Sequence, residues 1–114
     1  MTYTSQLTAL RNYFNTGITK THAFRKQQLQ KLKAAILNHE QDLYDAMYAD
    51  LKKSPEETWV TETGMVIAEI NEALRKVKSW MQPQRTGTTL VNLPSSSRVV
   101  FEPMGVVLII GPWN

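Results

Sequence analysis

The chain contains no cysteine. That excludes a disulfide, a thiolate metal site and a cysteine nucleophile within these residues, and it suits a reducing compartment. Long apolar runs are missing as well. The longest, Val106–Ile110, is far too short to cross a bilayer, and the residues from Met1 to Gln6 have neither the basic nor the apolar region of a secretory signal. The expectation is a cytoplasmic protein with no membrane segment in this chain. Acids are absent from residues 1–39, which carry Arg11, Lys20, Arg25, Lys26, Lys31 and Lys33; all 10 acids fall in residues 40–114, beside the other seven of the 13 bases. A basic face can serve nucleic acid, but no aromatic interleaving or nucleic-acid motif accompanies this one. It reads as a solvated helix face, and no nucleic-acid partner is expected. Histidine is scarce, and His39 has no second His, Cys or paired carboxylate at metal spacing, so it reads as a surface or capping residue and no metal is expected.

What is present suits an ordinary small core: 114 residues, 42% of them apolar. Leu7, Leu10 and Phe14 lie at helical spacing before Gly17, which predicts a helix over about Thr4–Phe14. A second helix is expected from Thr19 or Thr21 to Asn38, burying a stripe of Phe24, Leu29, Leu32, Ile36 and Leu37. Asn38-His39 should open a third, with Glu40 and Asp42 facing the positive end of its dipole and Leu43, Met47 and Leu51 spaced four apart. Ser54-Pro55-Glu56-Glu57 is the clearest helix start, with Ser54 as N-cap, Pro55 in the first turn and Glu57 placed to close a capping box. From there one long helix, roughly 39 Å, should run to about Met81 along a stripe of Val60, Val66, Ile67, Ile70, Leu74 and Val77, and Gln82-Pro83 should end it. Glu62, Glu69 and Glu72 invite an acid–base reading, but Arg75, Lys76 and Lys78 beside them favour ordinary ion pairs. Trp59 and Trp80 read as packing residues.

After a Pro- and Gly-containing linker over residues 82–87 the period changes. Thr88–Leu93 and Arg98–Glu102 are strand candidates for an antiparallel hairpin, joined by Pro94–Ser97. Val106–Ile110 is an apolar run rich in β-branched residues between Gly105 and Gly111-Pro112, the pattern of a strand buried on both faces of a parallel sheet. Such strands present ligand-binding residues at their carboxyl ends. Here those residues are Trp113 and Asn114.

Glu102-Pro103-Met104-Gly105-Val106-Val107 followed by Ile110-Gly111-Pro112-Trp113-Asn114 resembles the E-P-x-G-V-V…P-W-N stretch of the NAD(P)-dependent aldehyde dehydrogenases in order and spacing. A second block agrees: Asp50-Leu51-Lys52-Lys53-Ser54-Pro55-Glu56-Glu57, then Glu62 and Glu69-Ile70, is similar to that family's D-L-x-K-x-x-x-E…E-x-x…E-I helices. The short lead before Asn114 resembles the class 3, fatty-aldehyde-like branch.

The resemblance implies an α/β fold seen in part: about four amino-terminal helices, an oligomerisation hairpin and the first strand of a Rossmann-like parallel sheet. The corresponding parts are residues 1–84, helices of the cofactor-binding domain; 85–103, the hairpin; and 104–114, the first strand and turn. It implies NAD or NADP as cofactor, an aldehyde substrate, a homodimer, and oxidation through a cysteine thiohemiacetal followed by glutamate-assisted hydrolysis. By motif match Asn114 is catalytic, an amide N–H donor to the oxyanion, and Ile110, Gly111, Pro112 and Trp113 line the cofactor cleft. The nucleophile and base are not in this sequence, so the 114 residues are expected to be the amino-terminal part of a longer enzyme and inactive alone. Read without the resemblance, the helices and hairpin also suit a non-catalytic interaction module that adds to another protein's sheet edge.

Overall fold

Local sequence decides most of the helix boundaries. The structure, a computed structural model, describes residues 3–111. Its helices are α1 (Tyr3–Asn15), α2 (His22–Asn38), α3 (Glu40–Leu51), α4 (Pro55–Thr58) and α5 (Gly64–Trp80), and its strands are β1 (Gln84–Thr86) and β2 (Ser97–Val99). The chain falls into two compact units, one made of Met1–Thr21 with Met81–Asn114, the other of His22–Trp80.

In the His22–Trp80 unit, α2 packs along α5, and α3 turns back toward α4. Lys52 ends α3 in the left-handed conformation and donates its N–H to Tyr48 O at 3.0 Å. Ser54 then opens α4 as expected, its hydroxyl accepting from Glu57 N at 3.2 Å with Pro55 in the first turn. The carboxylate at this cap is that of Glu56, which meets its own N–H and the Ser54 side chain and is held below the ordinary carboxylate value. Between α4 and α5 the helix does not break; it widens into a π segment, Trp59–Thr63, in which Gly64 N–H donates to Trp59 O five residues back. The extra residue advances the helix by roughly 100°. That phase shift separates Val60, 62% exposed, from Ile70 and Val77, at 4% and 7%; Val66 follows the π segment on the same α5 face as Ile70, and its 45% exposure has no explanation in the shift.

The α2 stripe divides for another reason. Phe24, Leu29 and Ile36 are half-buried, but Leu32 and Leu37, expected inside, are about half exposed. Among the described residues α5 covers one flank of α2 only, and a stripe as wide as the one in the sequence needs cover on two. Polar ties add to the apolar contact: Lys33 Nζ donates to Asn71 Oδ1 at 2.8 Å, joining α2 to α5, and Lys53 Nζ meets Glu62 Oε1 at 2.5 Å, anchoring the α3–α4 connection to the π segment.

In the other unit α1 ends at Gly17, whose N–H donates to Phe14 O at 3.0 Å, and a single 3₁₀ turn, Ile18–Lys20, follows. The antiparallel hairpin forms, displaced from the expected strands. Gln84 pairs with Val99, Arg85 with Arg98 and Thr86 with Ser97, so β1 lies in the stretch expected to be a linker. Thr88–Leu93 is part of the connection instead. Thr88 Oγ1 accepts from Ser97 N at 2.9 Å and donates to Ser97 Oγ at 3.0 Å, while Leu90–Asn92 closes into a 3₁₀ turn before a cis Leu93–Pro94 bond. A threonine hydroxyl has taken the place of a ladder partner, and the β-favouring composition of Thr88–Val91 is overridden by that side-chain bond. Val106–Ile110 does not join a sheet among the described residues. A strand exists only through its neighbours, and this segment has none to pair with here.

Candidate functional site

The terminal motif hangs on one turn. At Gly105 the backbone φ is +104°, a conformation open to glycine and strained for any L side chain. A Cβ at Gly105 would lie 3.6 Å from Phe14 Cε1, so the turn also rests closely on the α1 aromatic ring. Around it, Arg11, Phe14, Asn15, Met104 and Val106 line a recess of about 320 Å³ with the glycine. Lys20 Nζ stands 5.3 Å from the Phe14 ring centroid, a cation–π distance that helps fix the ring against which the turn packs.

Beyond the turn the chain runs out through exposed apolar residues. Ile110 is 80% exposed, and a Cβ placed on Gly111 would meet nothing within 4 Å. These two expected cofactor-lining residues thus sit side by side on an open apolar end. Pro112 and Trp113, also expected to line the cofactor, and Asn114, the expected oxyanion donor, lie outside the described residues.

The carboxylates outside this stretch behave as structural groups. Glu72 pairs with Lys76 at 2.5 Å and with Arg75, and these hydrogen bonds hold its carboxyl below the usual carboxylate value. Glu62 is engaged by Lys53. His39 caps no amide with its side chain; its Nδ1 lies 2.9 Å from Asp42 Oδ2 on the surface between α2 and α3. Among the described residues no three metal-ligating side chains cluster. The two tryptophans have different settings: the Trp59 ring lies over Gly64, and Trp80 borders a groove between α2 and α5 with Phe24 and Val77. Both remain about half exposed.

Tyr44 is the perturbed group that sequence reasoning passed over. Half-buried, it shares a depression with Pro55, Glu56, Trp59 and Val60. Desolvation first, then its hydrogen bond with Glu40, raise its pKa above the ordinary 10.0. The one sequence signal for it was Glu40 four residues earlier on the same helix.

Comparison with known proteins converges on one family. Residues 7–114 match the Aldehyde dehydrogenase family. The chain is 41% identical over 102 residues to the 4,4'-diaponeurosporen-aldehyde dehydrogenase of Staphylococcus aureus (strain NCTC 8325 / PS 47), covering 90% of this chain and 22% of that protein. It is 39% identical over 108 residues to Aldehyde dehydrogenase family 3 member H1 of Arabidopsis thaliana, covering 95% of this chain and 22% of that one. A solved structure described as the substrate-bound state of Staphylococcus aureus AldH superposes with a TM-score of 0.84 at 36% identity, over 90% of this chain and 23% of that chain. This chain therefore spans between a fifth and a quarter of the length of these relatives. Helices, hairpin and terminal motif together place it, as part of a larger fold, in the aldehyde dehydrogenase family.

Proposed function

We propose that this chain is the amino-terminal part of a class 3 type, NAD(P)-dependent aldehyde dehydrogenase that oxidises medium- to long-chain or aromatic aldehydes to carboxylic acids. The reading rests on the Pro112-Trp113-Asn114 motif falling within the family match and directly following the open apolar end at Ile110 and Gly111. NAD or NADP would supply the hydride acceptor. Ile110 and Trp113 would wall its cleft, Gly111 would let it approach the backbone, and Pro112 would hold the chain direction there.

Asn114 would donate its side-chain N–H to the aldehyde oxygen as negative charge develops on it. An amide does this without adding charge of its own, so the site stays neutral before the reaction and matches the charge only when it appears. The nucleophile must come from residues outside these 114, which contain no cysteine, and the chain alone should not turn over aldehyde. The β1–β2 hairpin would reach a second subunit in a cytoplasmic homodimer.

The test is aldehyde-dependent formation of reduced nicotinamide by the whole enzyme and by its Asn114→Ala variant. Losing one oxyanion donor should lower kcat by about 10²–10³-fold while KM changes little. A whole enzyme without such turnover would refute the proposed activity and return the helical interaction module to the front. Turnover with an unchanged kcat in the variant would refute the role of Asn114.

A further inference from the structure

We draw no further inference here: the strongest candidate, the apolar groove between α2 and α5 bordered by Phe24, Leu32, Val77 and Trp80, carries nothing because nothing in the structure shows what covers it.

Discussion

Replacing Gly64 by alanine sets two effects of known size against each other. In the interior of an ordinary helix the exchange stabilises by about 1 kcal/mol, because alanine loses less backbone entropy. At Gly64 the new Cβ would stand 2.5 Å from Trp59 O and 3.0 and 3.1 Å from the Trp59 ring atoms Cε3 and Cδ2. The half-exposed indole can swing aside at little cost, but the carbonyl oxygen cannot. It is backbone, and it accepts the N–H of Gly64 itself across the π turn. Relieving the overlap means lengthening that bond or rewinding the segment to α, which would rotate α4 and its cap against α5. Overpacking of this kind costs about 1–3 kcal/mol. The net expectation is a loss of up to about 2 kcal/mol in place of the gain of about 1 kcal/mol that helix propensity alone would give. Gly87→Ala is the control, since its Cβ would meet nothing within 4 Å and its φ is not in the left-handed range. It should be neutral or stabilise by about 0.4–1 kcal/mol through the unfolded chain. Urea unfolding of parent and both variants, followed by far-UV circular dichroism, measures the difference. A Gly64→Ala protein as stable as its Gly87→Ala counterpart would refute the claim that glycine is what permits the π turn.

Gly105→Ala should cost about 1–3 kcal/mol, because φ at +104° strains any side chain even though the Phe14 contact at 3.6 Å is ordinary; equilibrium unfolding would show it, and an unchanged midpoint would count against the strained turn. Ser54→Ala removes the acceptor of Glu57 N–H and should cost about 1 kcal/mol, with Ser54→Asp restoring most of it in the same assay. Glu72 is held below its ordinary value of 4.5 by Lys76 and Arg75, so its contribution is complete above about pH 4.5 and lost as pH falls through the lowered value. The Glu72→Gln variant should therefore show a shallower loss of stability below that pH, with the difference shrinking in high salt; identical acid limbs would remove the ion pairs from the account.

The helices were legible because their signals are local. Ser54-Pro55 named the start of α4, Gly17 the end of α1, and the apolar spacing placed α2, α3 and the end of α5 near their observed limits. The π segment was not legible, since its cause is a contact five residues apart between Trp59 and Gly64, outside the three- and four-residue spacings that describe an α-helix. The hairpin was readable as a hairpin but not in register. Thr88 and Thr89 have strand composition, yet the first hydroxyl bonds Ser97 and the second accepts from Asn92 Nδ2 at 2.9 Å, and no propensity scale contains those partners. At the terminal motif the residues themselves carried the resemblance, with Gly105 placed where a side chain would strain the backbone, while Gly111 stands in open space and Pro112, Trp113 and Asn114 are known here by sequence alone.

The segment that leads into the motif carries a large unmet demand for burial among the described residues. Val107, Leu108, Ile109 and Ile110 are 63%, 85%, 85% and 80% exposed. Full burial of each such side chain is worth about 1.5–3 kcal/mol, so together they represent a stabilisation of about the size of a small domain's whole margin, ~5–15 kcal/mol. Residues of this kind are tolerated only where neighbouring strands and helices cover them, which agrees with a chain that spans 22% of its relatives. On the proposed function, covering the strand and building the site would be one event. Pairing along Val106–Ile110 would fix the direction of the backbone at Gly111, and with it the positions of Pro112, Trp113 and Asn114. The Gly105 turn sets where that strand begins, so a change at Phe14 or Gly105 should reach the motif through the strand without touching any residue expected to meet a ligand.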